Sequence, residues 1–149
     1  MDIDVEKLVN NFSAEEAEKL PRIAICVVEN KESDLDEEKT TSEEIFLACF
    51  NSGRKESTIR NQAFNTACQA AFTGIATATL SKWLKEKMEK DDFPRDKALE
   101  KIGLHWDSNE PIWGGFPIFE KKELVGGVAV VGVPEEDREK IEKLIEEFF

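Results

Sequence analysis

Two apolar runs near the C-terminus decide the fold of this chain: Trp113-Gly114-Gly115-Phe116-Pro117-Ile118 and Val125-Gly126-Gly127-Val128-Ala129-Val130-Val131-Gly132. The polar residues 120–123 separate them, which predicts a β-hairpin. The second run is almost entirely Val and Gly, and β-branched residues suit a pleated strand. Because interior glycines mark places where another backbone or a ligand comes close, we expect this second strand to lie deep in the protein.

Working outward, the apolar runs 23–28 and 45–50 predict two further strands that are covered on both faces. The strands then form two hairpins separated by helices. This order predicts a single α+β domain over residues 1–149, with an antiparallel sheet of four or five strands. Helical spacing and capping residues predict helices at about 4–12, 13–20, 57–72, 80–90, 94–102 and 135–148.

The segment between the first two strands, residues 29–44, is strongly acidic. It holds eight acidic residues and two lysines. Such a composition is typical of a solvated loop, and we expect an acidic loop here.

Composition excludes several classes of partner. The net charge of −12 argues against binding to nucleic acid or to an anionic membrane surface. No apolar run approaches the roughly 20 residues that a membrane span requires, and the acidic N-terminus is not typical of a secretory signal. The three cysteines have no metal-binding spacing, so they are expected to be reduced thiols in a cytoplasmic protein.

The hairpin also carries a family pattern, in which Gly-Gly-x-Pro-Ile is followed by a turn, a Gly-rich strand and an Asp. In these residues the chain resembles the haem-degrading-domain family, the GlcG/HbpS-like proteins. Val131 replaces a serine of that pattern, which removes a polar group. The resemblance implies a profilin-like, five-stranded antiparallel sheet flanked by helices, and assembly into ring-like homo-oligomers. The matching residues are Gly114, Gly115, Pro117, Ile118, Val125, Gly126, Val130, Gly132 and Asp137.

The resemblance continues into the helix that follows the second strand. Arg54-Lys55 is similar to the start of this helix in an uncharacterised branch of the family, and Ala67 and Ala70 match its alanines. Thr66 and Gln69 replace a lysine and a threonine. One face of this helix carries almost entirely small residues, which allows either close packing on the sheet or room for a flat ligand.

The first candidate site is a pocket between this helix and the glycine-rich hairpin. Arg54 and Lys55 could hold an anionic group there, although they could equally pair with nearby acids. The glycines could admit a flat ligand or could simply serve tight β-structure. The residues expected to line this pocket are Arg54, Lys55, Thr66, Gly114, Gly115, Pro117, Gly126 and Gly127.

The second candidate is an iron ligand. His105 is the only histidine and the best conventional ligand, with Cys68 or Cys26 behind it. A histidine in a loop beside Trp106 is otherwise a surface or packing residue. The family resemblance implies haem as the cofactor, and no catalytic residue can be named from the sequence.

The third candidate is an interface. Trp106, Trp113 and the terminal pair Phe148-Phe149 would be unusual on the surface of a monomer. Two functions therefore follow from the sequence: binding of a tetrapyrrole or another flat anionic ligand, or a non-enzymatic oligomeric adaptor on the same fold.

Overall fold

The computed structural model describes residues 23–33, 36–50 and 56–148. The expected helices at 4–12 and 13–20 lie outside these residues. In the described part of the chain, no helix has the length and apolar character needed to cross a bilayer. The elements, in chain order, are β1 (Ile23–Ser33), β2 (Asp36–Phe50), α1 (Glu56–Thr73), α2 (Thr77–Glu89), α3 (Arg95–Lys101), β3 (Gly115–Glu120), β4 (Glu123–Val131), a 3-10 turn (Glu135–Asp137) and α4 (Arg138–Phe148).

The sheet is antiparallel, and its strand order is β2-β1-β4-β3. The C-terminal hairpin pairs Phe116 with Val128, and β1 pairs Val27 with the same Val128 from the other side. β4 is therefore an interior strand, as its run of Val and Gly predicts. The α+β class and the two hairpins are confirmed, with four strands among the described residues where about five were expected.

The prediction of an acidic loop at 29–44 is wrong for the residues that the structure describes. β1 continues to Ser33, and β2 begins at Asp36. Asn30 anchors this hairpin, since its side-chain amide donates a hydrogen bond to the Ala71 carbonyl of α1 at 2.9 Å. The Ser42 hydroxyl donates to the Asn30 side-chain oxygen at 2.9 Å. Acidic composition indicated solvation, but charged residues can also pair in a hairpin whose outer strand lies at the edge of a sheet.

Each face of the sheet is covered by a helix. On one face, α1 packs its small residues against β1 and β4. On the other, Ile141 and Ile145 of α4 pack against Ile25, Val27 and Val130. Residues 24–28 of β1 are fully buried, as expected for a strand covered on both faces. Ile45 of β2 is partly exposed because β2 lies at an edge of the sheet.

A third apolar cluster joins α2 and α3 and fixes the start of the loop that follows them. Gly103 has φ of +93° just after α3, a conformation that glycine adopts without strain. Leu104, the next residue, is buried in this cluster. The loop 104–112 therefore leaves the core from a fixed point and runs beside α1. The buried members of the cluster are Leu80, Leu84, Ala98, Leu99, Ile102 and Leu104.

Candidate functional site

The predicted pocket between α1 and the glycine hairpin is filled by the helix itself. A Cβ atom placed on Gly127 would lie 2.4 Å from the Ala67 carbonyl oxygen and 2.9 Å from the Ala71 nitrogen. A Cβ atom on Gly115 would lie 2.8 Å from the Thr66 carbonyl oxygen. Real Cβ atoms essentially never come this close to other atoms. At these two positions glycine is therefore required because the backbone of α1 packs directly on the strand, and not because a ligand lies there.

The remaining predicted residues of this pocket surround the same contact. Thr66 is buried on the sheet-facing side of α1. Gly114 has φ of +125°, and its carbonyl accepts a hydrogen bond from the Val130 N–H at 2.9 Å. Pro117 and Gly126 belong to the paired strands β3 and β4. Arg54 and Lys55 lie outside the described residues.

An open cleft lies elsewhere on α1, between this helix and the loop 104–112. Its larger part, here called the histidine compartment, has a volume of about 480 Å³. The adjoining amide compartment has a volume of about 390 Å³. The histidine compartment is lined by Asn65, Cys68, Gln69, Phe72, Leu104, His105, Asp107, Ser108 and Asn109. The amide compartment is lined by Thr58, Asn61, Gln62, Asn65, Thr66, Gln69, Asn109, Glu110 and Ile112.

Specific hydrogen bonds hold the two walls of the cleft together. The Gln69 side-chain amide of α1 donates to the Asn109 carbonyl of the loop at 2.8 Å. Arg95 of α3 donates from Nε to the Glu110 carboxylate, also at 2.8 Å. With Leu104 buried at the start of the loop, both of its ends are tied to helices. The cleft is therefore a built feature of the fold.

His105 lies in the wall of the histidine compartment, with its Nδ1 against the carboxylate of Asp107. A carboxylate in this position accepts the Nδ1 proton and orients the ring. In that tautomer Nε2 keeps a free lone pair, which is the form in which imidazole binds a metal. The His105 ring also lies 5.7 Å from the ring of Trp106.

The two described cysteine side chains are poor candidates for an iron ligand. Burial raises the pKa of the Cys68 thiol to about 11, and the negative charge of Glu44 acts in the same direction. Cys68 therefore remains a protonated thiol at neutral pH, whereas the metal ligand is the thiolate. Cys26 is fully buried between the sheet and α1.

Trp113, expected at an interface, is held within the chain. Its indole N–H donates to the Glu142 carboxylate at 2.9 Å. Its ring meets the edge of Phe116 at 5.9 Å, and the Arg138 guanidinium lies 5.2 Å from its centroid. Trp106 is exposed as expected, and the side chains of Phe148 and Phe149 lie outside the described part of the structure.

Sequence reasoning missed the amide side chains of the cleft. Asn61, Asn65 and Gln69 recur every four residues along α1, next to the apolar face that packs on the sheet. Polar surfaces of helices usually carry many charged residues, so this run of uncharged amides was a readable signal. The opposite wall of the cleft, the loop 104–112, could not be predicted from the sequence, because only the fold brings Asn109 to Gln69.

Comparison with solved structures finds matches over most of the chain. The alignment with a crystal structure of HbpS covers 87% of this chain and 76% of the HbpS chain, with a TM-score of 0.53 and 21% sequence identity. This chain has the HbpS-like fold. A double mutant of HbpS from Streptomyces reticuli covers 91% of this chain and 77% of its own, with a TM-score of 0.56 and 19% identity.

The HbpS-like fold is also shared by a structure of the PduOC–heme complex. The alignment covers 100% of this chain and 96% of the PduOC chain, with a TM-score of 0.59 and 13% sequence identity. No family model matches the sequence, and no curated protein matches it. The similarity is therefore one of fold, which agrees with the fold that the hairpin pattern implied.

Proposed function

We propose that this protein binds a planar tetrapyrrole, with haem as the reference ligand, in the cleft between α1 and the loop 104–112. One observation carries the proposal: His105 lies in a cleft wall with its Nδ1 held by Asp107. A histidine that is oriented by a carboxylate is the usual arrangement of a metal-binding imidazole, and histidine is a common proximal ligand of haem iron. The heme in the PduOC complex gives the proposal a precedent on the same fold.

The shape and chemistry of the histidine compartment support a flat ligand. Its volume of about 480 Å³ falls within the range of roughly 300–1,000 Å³ that is typical of small-molecule pockets. Phe72 lines it and is 67% exposed, so its ring can stack on a planar partner. Leu104 adds an apolar contact beside His105. A bound ring would therefore cover an aromatic side chain that is otherwise open to water.

The described residues divide the work of binding. His105 would hold the iron, Asp107 would orient the imidazole and keep Nδ1 protonated, and Phe72 would cover one part of the ring. When bound, haem supplies redox and ligand-exchange chemistry at its iron. Haem binding of this kind is compatible with the cytoplasmic location that the sequence predicts.

A haemin titration followed at the Soret band tests this function. The wild-type protein is expected to give a saturable shift at a stoichiometry of one haem per cleft. His105→Ala is expected to change the spectrum and weaken binding, because it removes the nitrogen ligand. Cys68→Ser serves as the matched control in the same compartment, and it is expected to keep the wild-type band because the native thiol is protonated. A wild-type protein with no saturable shift overturns the proposed function, and an unchanged spectrum in His105→Ala overturns the assignment of the ligand.

A second function, an oligomeric adaptor, is favoured by two exposed aromatic side chains. Phe72 is 67% exposed and Phe119 is 51% exposed. Both are near Gly74, where an added Cβ atom would lie 3.8 Å from the Phe119 ring. Exposed aromatic residues are typical of interfaces, and a second copy of the chain would bury them. Light scattering should then show an oligomer that Phe119→Ser dissociates, whereas a monomeric wild-type protein at micromolar concentration contradicts this function.

A further inference from the structure

We propose that the amide compartment selects a ligand whose polar edge is uncharged, made of carboxamides or hydroxyls and not of carboxylates. This inference rests on the proposed function, because it assumes that a planar ring occupies the histidine compartment. The two compartments share Asn65, Gln69 and Asn109, so a ring in one presents its edge to the other. The amide compartment then determines which substituents the ring can carry.

Hydrogen-bonding chemistry favours an edge with both donors and acceptors. Each carboxamide has an acceptor oxygen and a two-donor nitrogen, and each threonine hydroxyl can both donate and accept. A carboxylate only accepts, so it can pair with the amide nitrogens and the hydroxyls but cannot donate to the carbonyl oxygens of these side chains. Ligand amides or hydroxyls can satisfy both kinds of group. The residues that supply these groups are Thr58, Asn61, Gln62, Asn65, Thr66, Gln69 and Asn109.

Gln69 makes this requirement most specific. The side chain is only 9% exposed, and its Nε2 already donates to the Asn109 carbonyl at 2.8 Å. The bond fixes the amide, so Oε1 is an acceptor in a nearly buried position. A ligand amide N–H or hydroxyl can donate to this oxygen, and a carboxylate cannot.

Charge acts in the same direction. Neither compartment is lined by a lysine or arginine among the residues that the structure describes, whereas Asp107 and Glu110 line them. Arg95 pairs with the Glu110 carboxylate and also donates to the Ser108 carbonyl, so the charges of Arg95 and Glu110 offset each other and Asp107 leaves the cleft with an excess of negative charge. The whole chain carries a net charge of −12. A ligand carboxylate placed here would be repelled, and an uncharged edge would not.

Two iron porphyrins with the same ring and different edges test the inference. Haemin has two carboxylates, and its bis-carboxamide derivative has two uncharged amides in their place. We expect the bis-carboxamide to bind more tightly, by on the order of fivefold or more. Equal affinities, or tighter binding of haemin, overturn this inference and leave the proposed function standing. If neither porphyrin gives a saturable Soret shift, the proposed function fails and this inference fails with it.

A matched pair of variants separates a local effect from one of total charge. Glu110→Gln and Glu146→Gln each remove one negative charge, the first inside the amide compartment and the second on the exposed surface of α4. Glu110→Gln should raise the affinity for haemin by on the order of fivefold, and should leave the bis-carboxamide within about twofold. Glu146→Gln should change neither. An equal gain for haemin in both variants would mean that only the net charge matters, and would overturn the inference.

Discussion

Replacing Gly127 with alanine tests the packing of α1 on the sheet and, through it, the location of the site. The new Cβ atom would lie 2.4 Å from the Ala67 carbonyl oxygen, whereas ordinary contacts begin near 3.4 Å. The obstacle is backbone, so α1 must move away from β4 by about 1 Å or the strand must bend. Overpacking of this kind costs about 1–3 kcal/mol, and we expect the upper part of that range because no rotamer change relieves it.

Thermal unfolding followed by circular dichroism measures this cost. A loss of about 2–3 kcal/mol in a domain of this size lowers the melting midpoint by about 4–12 °C. Gly103→Ala is the control, because nothing lies within 4 Å of its Cβ position and only its φ of +93° opposes a side chain. Its cost should be about 1 kcal/mol. If the midpoint of Gly127→Ala falls within about 1 °C of the wild type, α1 does not pack on β4 as described.

The same variant distinguishes the two candidate sites. A folded Gly127→Ala protein should still bind haemin, because the cleft lies between α1 and the loop 104–112 and not between α1 and β4. Retained binding by the folded variant would contradict a ligand site in the seam beneath the helix, where the sequence first placed it.

Two further predictions concern buried polar groups. Thr77→Val should lower the free energy of unfolding, measured in urea, by about 1–3 kcal/mol, because the buried Gly115 N–H loses its 2.8 Å hydrogen bond to the Thr77 hydroxyl. Thr77→Ser keeps the hydroxyl and should retain most of the stability. Equal losses in both variants would argue against the hydrogen bond. Alkylation of Cys68 should accelerate without a plateau as the pH rises from about 9 towards about 11, because its pKa is raised. Because the pKa of Cys68 is raised in the folded state, the stability that the protonated thiol contributes is fully present below pH 9 and is lost as the pH rises through about 11. A plateau in the alkylation rate below pH 9 would contradict the assigned pKa.

The fold was largely predictable because its signals are local. Runs of Val and Gly predict the interior strand β4, and Gly103 and Pro94 bracket α3 as expected. The 29–44 segment was misjudged because composition reports solvation and not pairing. Residues 29–33 of this segment pair with β2, and composition does not contain the register that places Asn30 opposite Ser42.

The site was only partly predictable because it depends on contacts between distant residues. The chemistry of His105 was readable, but its partner Asp107 gains meaning only from the loop conformation. The expected close approach is confirmed at Gly115 and Gly127, yet the sequence could not say whether a ligand or a helix approaches. The structure answers that at Gly115 and Gly127, where the Thr66 and Ala67 carbonyls occupy the space.

Paramagnetic broadening in a two-dimensional amide NMR spectrum is the most direct test of where a tetrapyrrole binds. Iron porphyrin added at one equivalent should broaden the backbone signals of residues 61–72 and 104–110 and leave residues 126–131 of the interior strand much less affected. Broadening centred on residues 126–131, or spread over the surface without a centre, would contradict the assignment of the cleft as the ligand site.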